Sequence, residues 1–284
     1  MIIRPPSEAT SYLLQVTYGC SHNRCTFCGT YLDKKYSRRP LDEILEDIEA
    51  AGALHPQTRR VFLCDGNALL LPMDRLVTVL DALAEAFPDL ARVGIYANAR
   101  DILRKGPENL AALRERKLGI IYLGLESGSD EILLDVDKGE TAQGMIDGVR
   151  LAEEQGIKTS VIILLGLGGR TKSRLHAEAS GKVASRMNPR FLSCLTLMLV
   201  PGTPLYERHR RGEFELPDPT EMLRELEIIV ENLELEGTIF RANHASNYLP
   251  LKGRFPQDKE RILSEIRQAL KGGTRLRPEF LRGL

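Results

Sequence analysis

The chain has 284 residues, 43% of them hydrophobic and 27% charged, a composition that excludes a disordered protein and describes an ordinary globular one. Lys plus Arg equals Asp plus Glu at 39 each, so no overall field draws the chain to nucleic acid or to an anionic membrane. The start lacks the long apolar core of a signal peptide and the best apolar run, 161–167, is too short to span a bilayer, so a cytoplasmic location is expected.

In chain order, Leu13-Leu14-Gln15-Val16-Thr17 reads as a first strand, and Leu41, Ile44, Leu45 and Ile48 then repeat at helical spacing behind Pro40. Val61-Phe62-Leu63-Cys64 is a second strand, followed by a helix carrying Leu76, Val77, Leu80 and Leu83. Val93-Gly94-Ile95-Tyr96 and a helix through Leu110 and Leu113 form the third unit. The run 120–125 opens the fourth, whose helix spans about 141–155 and stops at Gly156, a C-cap candidate. The run 161–165 with a helix before Met187, and 191–199 with a helix over about 219–233, complete six units.

Six successive β-α units imply parallel strands with helices outside them, because parallel strands need right-handed crossovers. The expected fold is therefore α/β, a partial (β/α)6 TIM-like barrel, short of the eight units of a closed one. The stretch 238–253 reads as irregular and polar, and a last helical pattern with Ile262, Leu263, Ile266 and Leu270 follows. Both are expected to belong to a C-terminal extension, about 206–284, closing the barrel. With no repeat and no Pro/Gly/Ser linker, 1–284 reads as a single domain.

Of five cysteines, Cys20, Cys25 and Cys28 fall within nine residues directly after the first strand, where barrel enzymes assemble their sites. The odd count argues against a disulfide framework. Three thiolates on one loop can hold three corners of a cubane cluster and leave the fourth iron open. Two alternatives stand beside this: a Cys3His zinc site completed by His22, serving structure only, and simple buried thiols. Cys64 and Cys194 sit in strand patterns and read as core residues.

The loop Cys20-Ser21-His22-Asn23-Arg24-Cys25-Thr26-Phe27-Cys28 resembles the cluster loop of the radical S-adenosylmethionine (SAM) superfamily, with four residues rather than the usual three between the first two cysteines. The resemblance extends over about 12–205, which it marks as the core barrel, and its fourth-strand motif is similar to that of the oxygen-independent coproporphyrinogen oxidase and Elp3-like groups. It implies a [4Fe-4S] cluster on the three cysteines and SAM on its open iron, with Phe27 near adenine. Asp65-Gly66-Asn67 stands where the superfamily has a turn that receives the methionyl ammonium; a plain Asx turn is the alternative. In Gly124-Leu125-Glu126-Ser127, the resemblance gives Glu126 to the ribose hydroxyls with Ser127 beside it, and Lys138 to the cofactor carboxylate; a helix cap and a solvated lysine are the alternatives. Gly166 and Leu199, ahead of Pro201-Gly202-Thr203-Pro204-Leu205, would lie against adenosine.

The chemistry implied is reductive cleavage of SAM to a 5′-deoxyadenosyl radical that takes hydrogen from a substrate, in an oxygen-sensitive enzyme. A ferredoxin or flavodoxin is the expected electron donor, and two leftover cysteines are too few to ligate a second cubane with cysteine alone. Arg241, His244 and Asn247 concentrate cations and amides in one loop and are the candidate substrate contacts; stabilising that loop is their alternative role. Basic stretches at 34–39, 208–211 and 275–282 read as solvated faces or a donor's docking site, since no aromatic interleaving marks them for nucleic acid.

Overall fold

The computed structural model describes residues 3–283. Its contacts form two compact units, one built from the residues up to Asn23 with Thr30–Leu123 and Asp147–Thr159, the other from Arg24–Gly29, Gly124–Ile146 and the residues from Ser160 onward.

In the first unit, β1 (Tyr12–Gln15) is followed by a two-residue antiparallel pair, β2 (Thr17–Tyr18) and β3 (Ser37–Arg38), which brackets the cysteine loop's entry. Then come α1 (Leu41–Leu54), β4 (Arg60–Cys64), α2 (Met73–Ala86), β5 (Arg92–Tyr96), α3 (Ala99–Glu115) and β6 (Leu118–Glu126). Strands β1, β4, β5 and β6 lie side by side in that order, all parallel. Val61, Phe62, Leu63 and Cys64 are all buried, as expected of a parallel strand covered on both faces. Helix α2 buries Leu76, Val79, Leu80 and Leu83, so Val79 takes the core place that the sequence pattern gave to Val77. Helix α3 breaks at Gly106, whose φ of 74° suits glycine, just before Pro107.

The second unit contains α4 (Asp130–Asp135), while α5 (Ala142–Glu154) leads on to β7 (Lys158–Leu165). After α6 (Gly169–Met187), β8 (Phe191–Thr196), α7 (Pro204–Arg210) and α8 (Pro219–Glu231) come β9 (Ile239–Ala242), β10 (Leu251–Arg254) and α9 (Lys259–Leu270). Strands β7, β8 and β9 are parallel, and β10 turns back antiparallel on β9. The expectation of an irregular 238–253 is thus corrected at both ends. Each strand there is only four residues long, too short to show a period, and β9 owes its ladder to β8. Buried Phe240, Ala242 and Leu251 were its apolar signal. Helix α8 packs between α6 and α9, and the Phe240 and Phe255 rings meet edge-on at 5.5 Å.

The fold is α/β with mostly parallel strands taken in chain order, as expected of a partial barrel. Among the described residues β1 and β10 stand at the two ends of the strand order, and no closed barrel is detected. Among the described residues no helix is long and apolar enough to cross a membrane.

Candidate functional site

Within the first unit, Cys20 stands half-buried at the end of β2, against the turn that follows β4. A Cβ added to Gly66 would fall 2.9 Å from the Cys20 Cβ and 2.8 Å from the Tyr31 ring, so only glycine lets the two turns approach this closely. The Gly66 N–H donates to the Gly19 carbonyl at 3.2 Å. The fully buried Asp65 carboxylate accepts from Gln15 Nε2 at 2.9 Å, Gly19 N–H at 3.3 Å and the Tyr31 hydroxyl at 3.5 Å, and so braces the start of the cysteine loop. Asn67, equally buried, donates through Nδ2 to Ser21 Oγ at 2.8 Å and Asp101 Oδ2 at 2.6 Å, and accepts from Asn98 N–H at 3.3 Å. The turn therefore spends its side chains on fixing the loop.

In the second unit, the segment holding Cys25, Phe27 and Cys28 is clasped from both sides. Thr26 N–H donates to the Val136 carbonyl and Leu205 N–H donates to the Thr26 carbonyl, both at 2.9 Å. Phe27 and Leu199 join one apolar cluster with Ile132, Val136, Leu167, Leu205 and Phe214. A Cβ on Gly29 would sit 2.5 Å from Val200, which fixes glycine there. Among the described residues no cysteine is in a disulfide. The loop cysteines are half-buried, whereas Cys64 and Cys194 are fully buried; burial pushes the Cys64 thiol up to about 12 and Cys194 higher still. Only the loop thiols suit thiolate ligation. Among the described residues no three His, Cys, Asp or Glu side chains stand together as a ready ion site, so the case for these thiols rests on their chemistry and their shared loop.

At the end of β6 the expected cofactor residues pair with each other. Lys138 Nζ lies 3.0 Å from Glu126 Oε1, and both side chains are nearly buried. Burial alone would lower the lysine pKa, but Glu126, Cys25 and Glu140 outweigh it and hold Lys138 above its ordinary range. Glu126 has φ of +61°, a left-handed conformation that costs a non-glycine residue about 1 kcal/mol. Such local strain is characteristic of functional sites.

Ser127 is also buried, and its hydroxyl meets His176 Nδ1 at 2.8 Å and accepts from Ser129 N–H at 3.1 Å. His176 Nε2 lies 3.5 Å from Glu225 Oε1. Glu225 in turn accepts from Gly166 N–H at 2.5 Å and from the Ser173 hydroxyl. Sequence reasoning missed His176 and Glu225. The available signal was a glutamate on the apolar face of α8, three residues after Met222 and four before Ile229. Gly166, φ +85°, lacks a side chain where Met222 packs: an added Cβ would meet the Met222 methyl at 2.3 Å.

The candidate substrate residues lie around the β9–β10 connection. Asn247 is buried, donating to the Cys194 carbonyl and accepting from the Thr196 hydroxyl, both at 2.8 Å, so it anchors the connection to β8. His244 is half-buried; its Nδ1 accepts from Ser246 N–H at 3.1 Å, which leaves a neutral ring its proton on Nε2. Burial, with Arg277 nearby, lowers its pKa. Arg241 alternates with buried Phe240 and Ala242 and is exposed on β9, apart from the buried Asn247 anchor. A cleft of about 290 Å³ elsewhere in this unit is lined by Leu167, Lys172, Arg208 and Phe214, and its cations are paired, Arg208 with Asp135 and Lys172 with Glu131.

The sequence matches the radical SAM superfamily over residues 14–179, more than half of the chain and all of the thiol loop. This chain belongs to the radical SAM superfamily. It is 24% identical over 230 residues to the heme chaperone HemW of Bacillus subtilis, covering 77% of this chain and 58% of that protein. To HemW of Mycobacterium tuberculosis it is 25% identical over 226 residues, covering 75% and 56%. The chain thus spans less than two thirds of these relatives. Among solved structures, coproporphyrinogen III oxidase HemN of Escherichia coli superposes with a TM-score of 0.60 at 19% identity, covering 78% of this chain and 51% of that one. Methylornithine synthase PylB gives 0.56 at 18%, covering 94% and 83%. At these identities the structural likeness is one of fold, and it agrees with the partial barrel of the superfamily.

Proposed function

We propose that this chain is an enzyme that binds one [4Fe-4S] cluster through Cys20, Cys25 and Cys28 and reductively cleaves SAM there, to take hydrogen from a polar small molecule or modified nucleoside. The superfamily match across the thiol loop and the strand ends after it carries this proposal. The donor set fits: three accessible thiols on one loop, with Gly66 making room for Cys20, against two core thiols too buried to ionise. Once bound, the cluster supplies one electron to the sulfonium, so that the carbon–sulfur bond breaks to methionine and a 5′-deoxyadenosyl radical.

The chain's own residues bind and orient. Lys138 offers its ammonium to the cofactor carboxylate, and Glu126 accepts from the ribose hydroxyls. Without cofactor each neutralises the other; binding gives Lys138 a new carboxylate and leaves Glu126 hydrogen-bonded to neutral hydroxyls. Phe27 and Leu199 give adenine an apolar wall, Ser127 and Gly166 hold the ends of β6 and β7, and the 65–67 turn offers backbone acceptors to the ammonium. His244, whose Nε2 proton is unspent in the 244–248 turn, is placed to hydrogen-bond a substrate, with Arg241 and Asn247 as further contacts. A cytoplasmic ferredoxin or flavodoxin supplies the electron.

Anaerobic reconstitution with iron and sulfide tests this. The expected result is a brown protein with about four irons per chain that forms 5′-deoxyadenosine from SAM and a strong reductant. A colourless protein that keeps one zinc, or a cluster that leaves SAM intact, overturns it. The names of HemW and HemN support a second substrate class, a tetrapyrrole. Titration with haem decides: a shifted Soret band saturating at one haem per chain favours it, and free-haem absorbance removes it.

A further inference from the structure

One buried polar chain in the second unit joins Gly166 to Ser127 through two residues given no role above, Glu225 and His176. It begins at Gly166 N–H, the end of β7, which donates to Glu225 Oε1 at 2.5 Å. It continues from that oxygen to His176 Nε2 at 3.5 Å, and from His176 Nδ1 to Ser127 Oγ at 2.8 Å, the residue beside Glu126. Glu225 and His176 are 1% and 0% exposed; the 3.5 Å contact between them is too long to count as a hydrogen bond, and the Leu164 backbone also meets the His176 ring. Ser180 adds a second tie, accepting from Gly128 N–H at 2.9 Å. A glutamate wholly inside a protein costs several kcal/mol unless its hydrogen bonds are made. Packing alone would have placed a leucine here.

Helix α8 delivers this group in a fixed way. Met222 and Glu225 are i and i+3 on one face of the helix, and both meet Gly166: Met222 where a Cβ would stand, Glu225 at the N–H. The helix is set by a full capping box, Asp218 with Glu221. It also packs on α6, which carries His176. Cys194 faces the same carboxylate, but its thiol is suppressed by burial and these groups form no ion site among the described residues.

We infer that Glu225 is a positioning residue for cofactor binding: through Gly166, and through His176 and Ser127, it holds the ends of β7 and β6 in the arrangement that presents Gly166 and Glu126 to SAM. This rests on the proposal that those strand ends contact SAM. Glu225 itself touches no cofactor; it acts through the Gly166 backbone and, by way of His176, the Ser127 side chain. A helix outside the superfamily match, which ends at residue 179, thereby completes the cofactor site.

The test uses the full chain with its cluster reconstituted, and reads SAM affinity by equilibrium dialysis together with iron content. Glu225→Met removes the acceptor at nearly constant volume; Glu225→Gln keeps an oxygen for Gly166 N–H. Iron content should be unchanged in both, because neither touches the thiol loop. SAM affinity should fall about tenfold or more in Glu225→Met and stay within about threefold of wild type in Glu225→Gln, the loss and rescue expected when an acceptor for a buried N–H is removed or kept. Unchanged affinity in a folded Glu225→Met protein overturns the inference, as does equal loss in both variants. If Glu225→Met does not fold, His176→Phe decides by cutting the link to Ser127: reduced affinity supports the inference and wild-type affinity overturns it. Failure of wild type to bind SAM would instead reject the proposed function, so the two failures are distinguishable.

Discussion

Glu126 Oε1 lies 3.0 Å from Lys138 Nζ and directly over Gly124, where an added Cβ would come within 1.9 Å of that oxygen. The pair thus depends on a glycine two residues earlier on β6. Gly124→Ala must push the Glu126 carboxylate aside, since that side chain is what the added Cβ meets. Overpacking of this kind costs about 1–3 kcal/mol. The expected outcome is SAM affinity reduced at least about tenfold, with normal iron content, measured by dialysis against labelled SAM. An alanine variant that binds as wild type would place the carboxylate's role elsewhere.

Asp65 predicts a different phenotype, because its carboxylate faces donors: Gln15 Nε2, Gly19 N–H and the Tyr31 hydroxyl. In Asp65→Asn the amide oxygen keeps the Gln15 and Gly19 bonds without the negative charge, and the amide nitrogen turns the Tyr31 hydroxyl from donor to acceptor. The expected stability loss is about 1–3 kcal/mol, accompanied by poorer cluster loading, because Gly19 immediately precedes Cys20. Chemical denaturation and iron analysis check both. Loss of SAM affinity with full iron content would show that Asp65 meets the cofactor rather than bracing the loop.

How far these features could be read in advance depended on the length over which each signal repeats. Val61 to Cys64 and the run through Leu165 announce buried parallel strands because several apolar residues stand together. Glu126, Lys138 and the cysteine loop are legible because their chemistry resembles a known family's. Strands β9 and β10 escaped since four residues interrupted by Arg241 carry no period, and tertiary pairing with β8 decides their state. The short helices α4 and α7 are one or two turns long, too short for a period; α7 has a side-chain cap, Thr203 accepting from Tyr206 N–H, and α4 has none. His176 and Glu225 escaped for another reason: their meaning lies in contacts 49 and 59 residues distant in sequence, Ser127 and Gly166.

Within 275–282, which reads as a basic surface, Arg277 and Arg282 are spent on the protein itself. Arg277 Nη1 donates to the carbonyls of His244, Ala245 and Asn247, at 2.9, 2.6 and 3.1 Å. Arg282 reaches the Ser246 carbonyl at 2.7 Å, and its guanidinium lies over the Tyr248 ring, 4.1 Å from the centroid. These two arginines, together with the Asn247 anchor to β8, fix the turn carrying His244. Arg277→Ala with Arg282→Ala should lower amide-exchange protection across 244–248 by roughly 1–3 kcal/mol, the range for hydrogen bonds to a charged group, while β8 stays protected. Uniform loosening would mean that the segment supports the whole unit; unchanged protection would mean it supports neither.

The Glu225–His176 pair also makes stability depend on pH in a specific way. Burial pushes the Glu225 carboxyl up to about 7 and holds His176 down to about 4. In an unfolded chain these groups titrate near about 4.3 and about 6.5, so folding carries a proton from imidazole to carboxyl. The raised Glu225 contributes stability that is full below about 4.3 and lost as pH rises through about 7. The depressed His176 contributes stability present above about 6.5 and lost as pH falls through about 4. Between roughly pH 4.5 and 6.5 the two slopes oppose each other and nearly cancel. Glu225→Gln removes one of them. The variant's stability should then climb relative to wild type by up to roughly 1 kcal/mol per pH unit across that window. Urea denaturation at half-unit intervals measures the difference directly, with every other titrating group common to both proteins. Parallel curves would show that folding relocates no proton between these two residues.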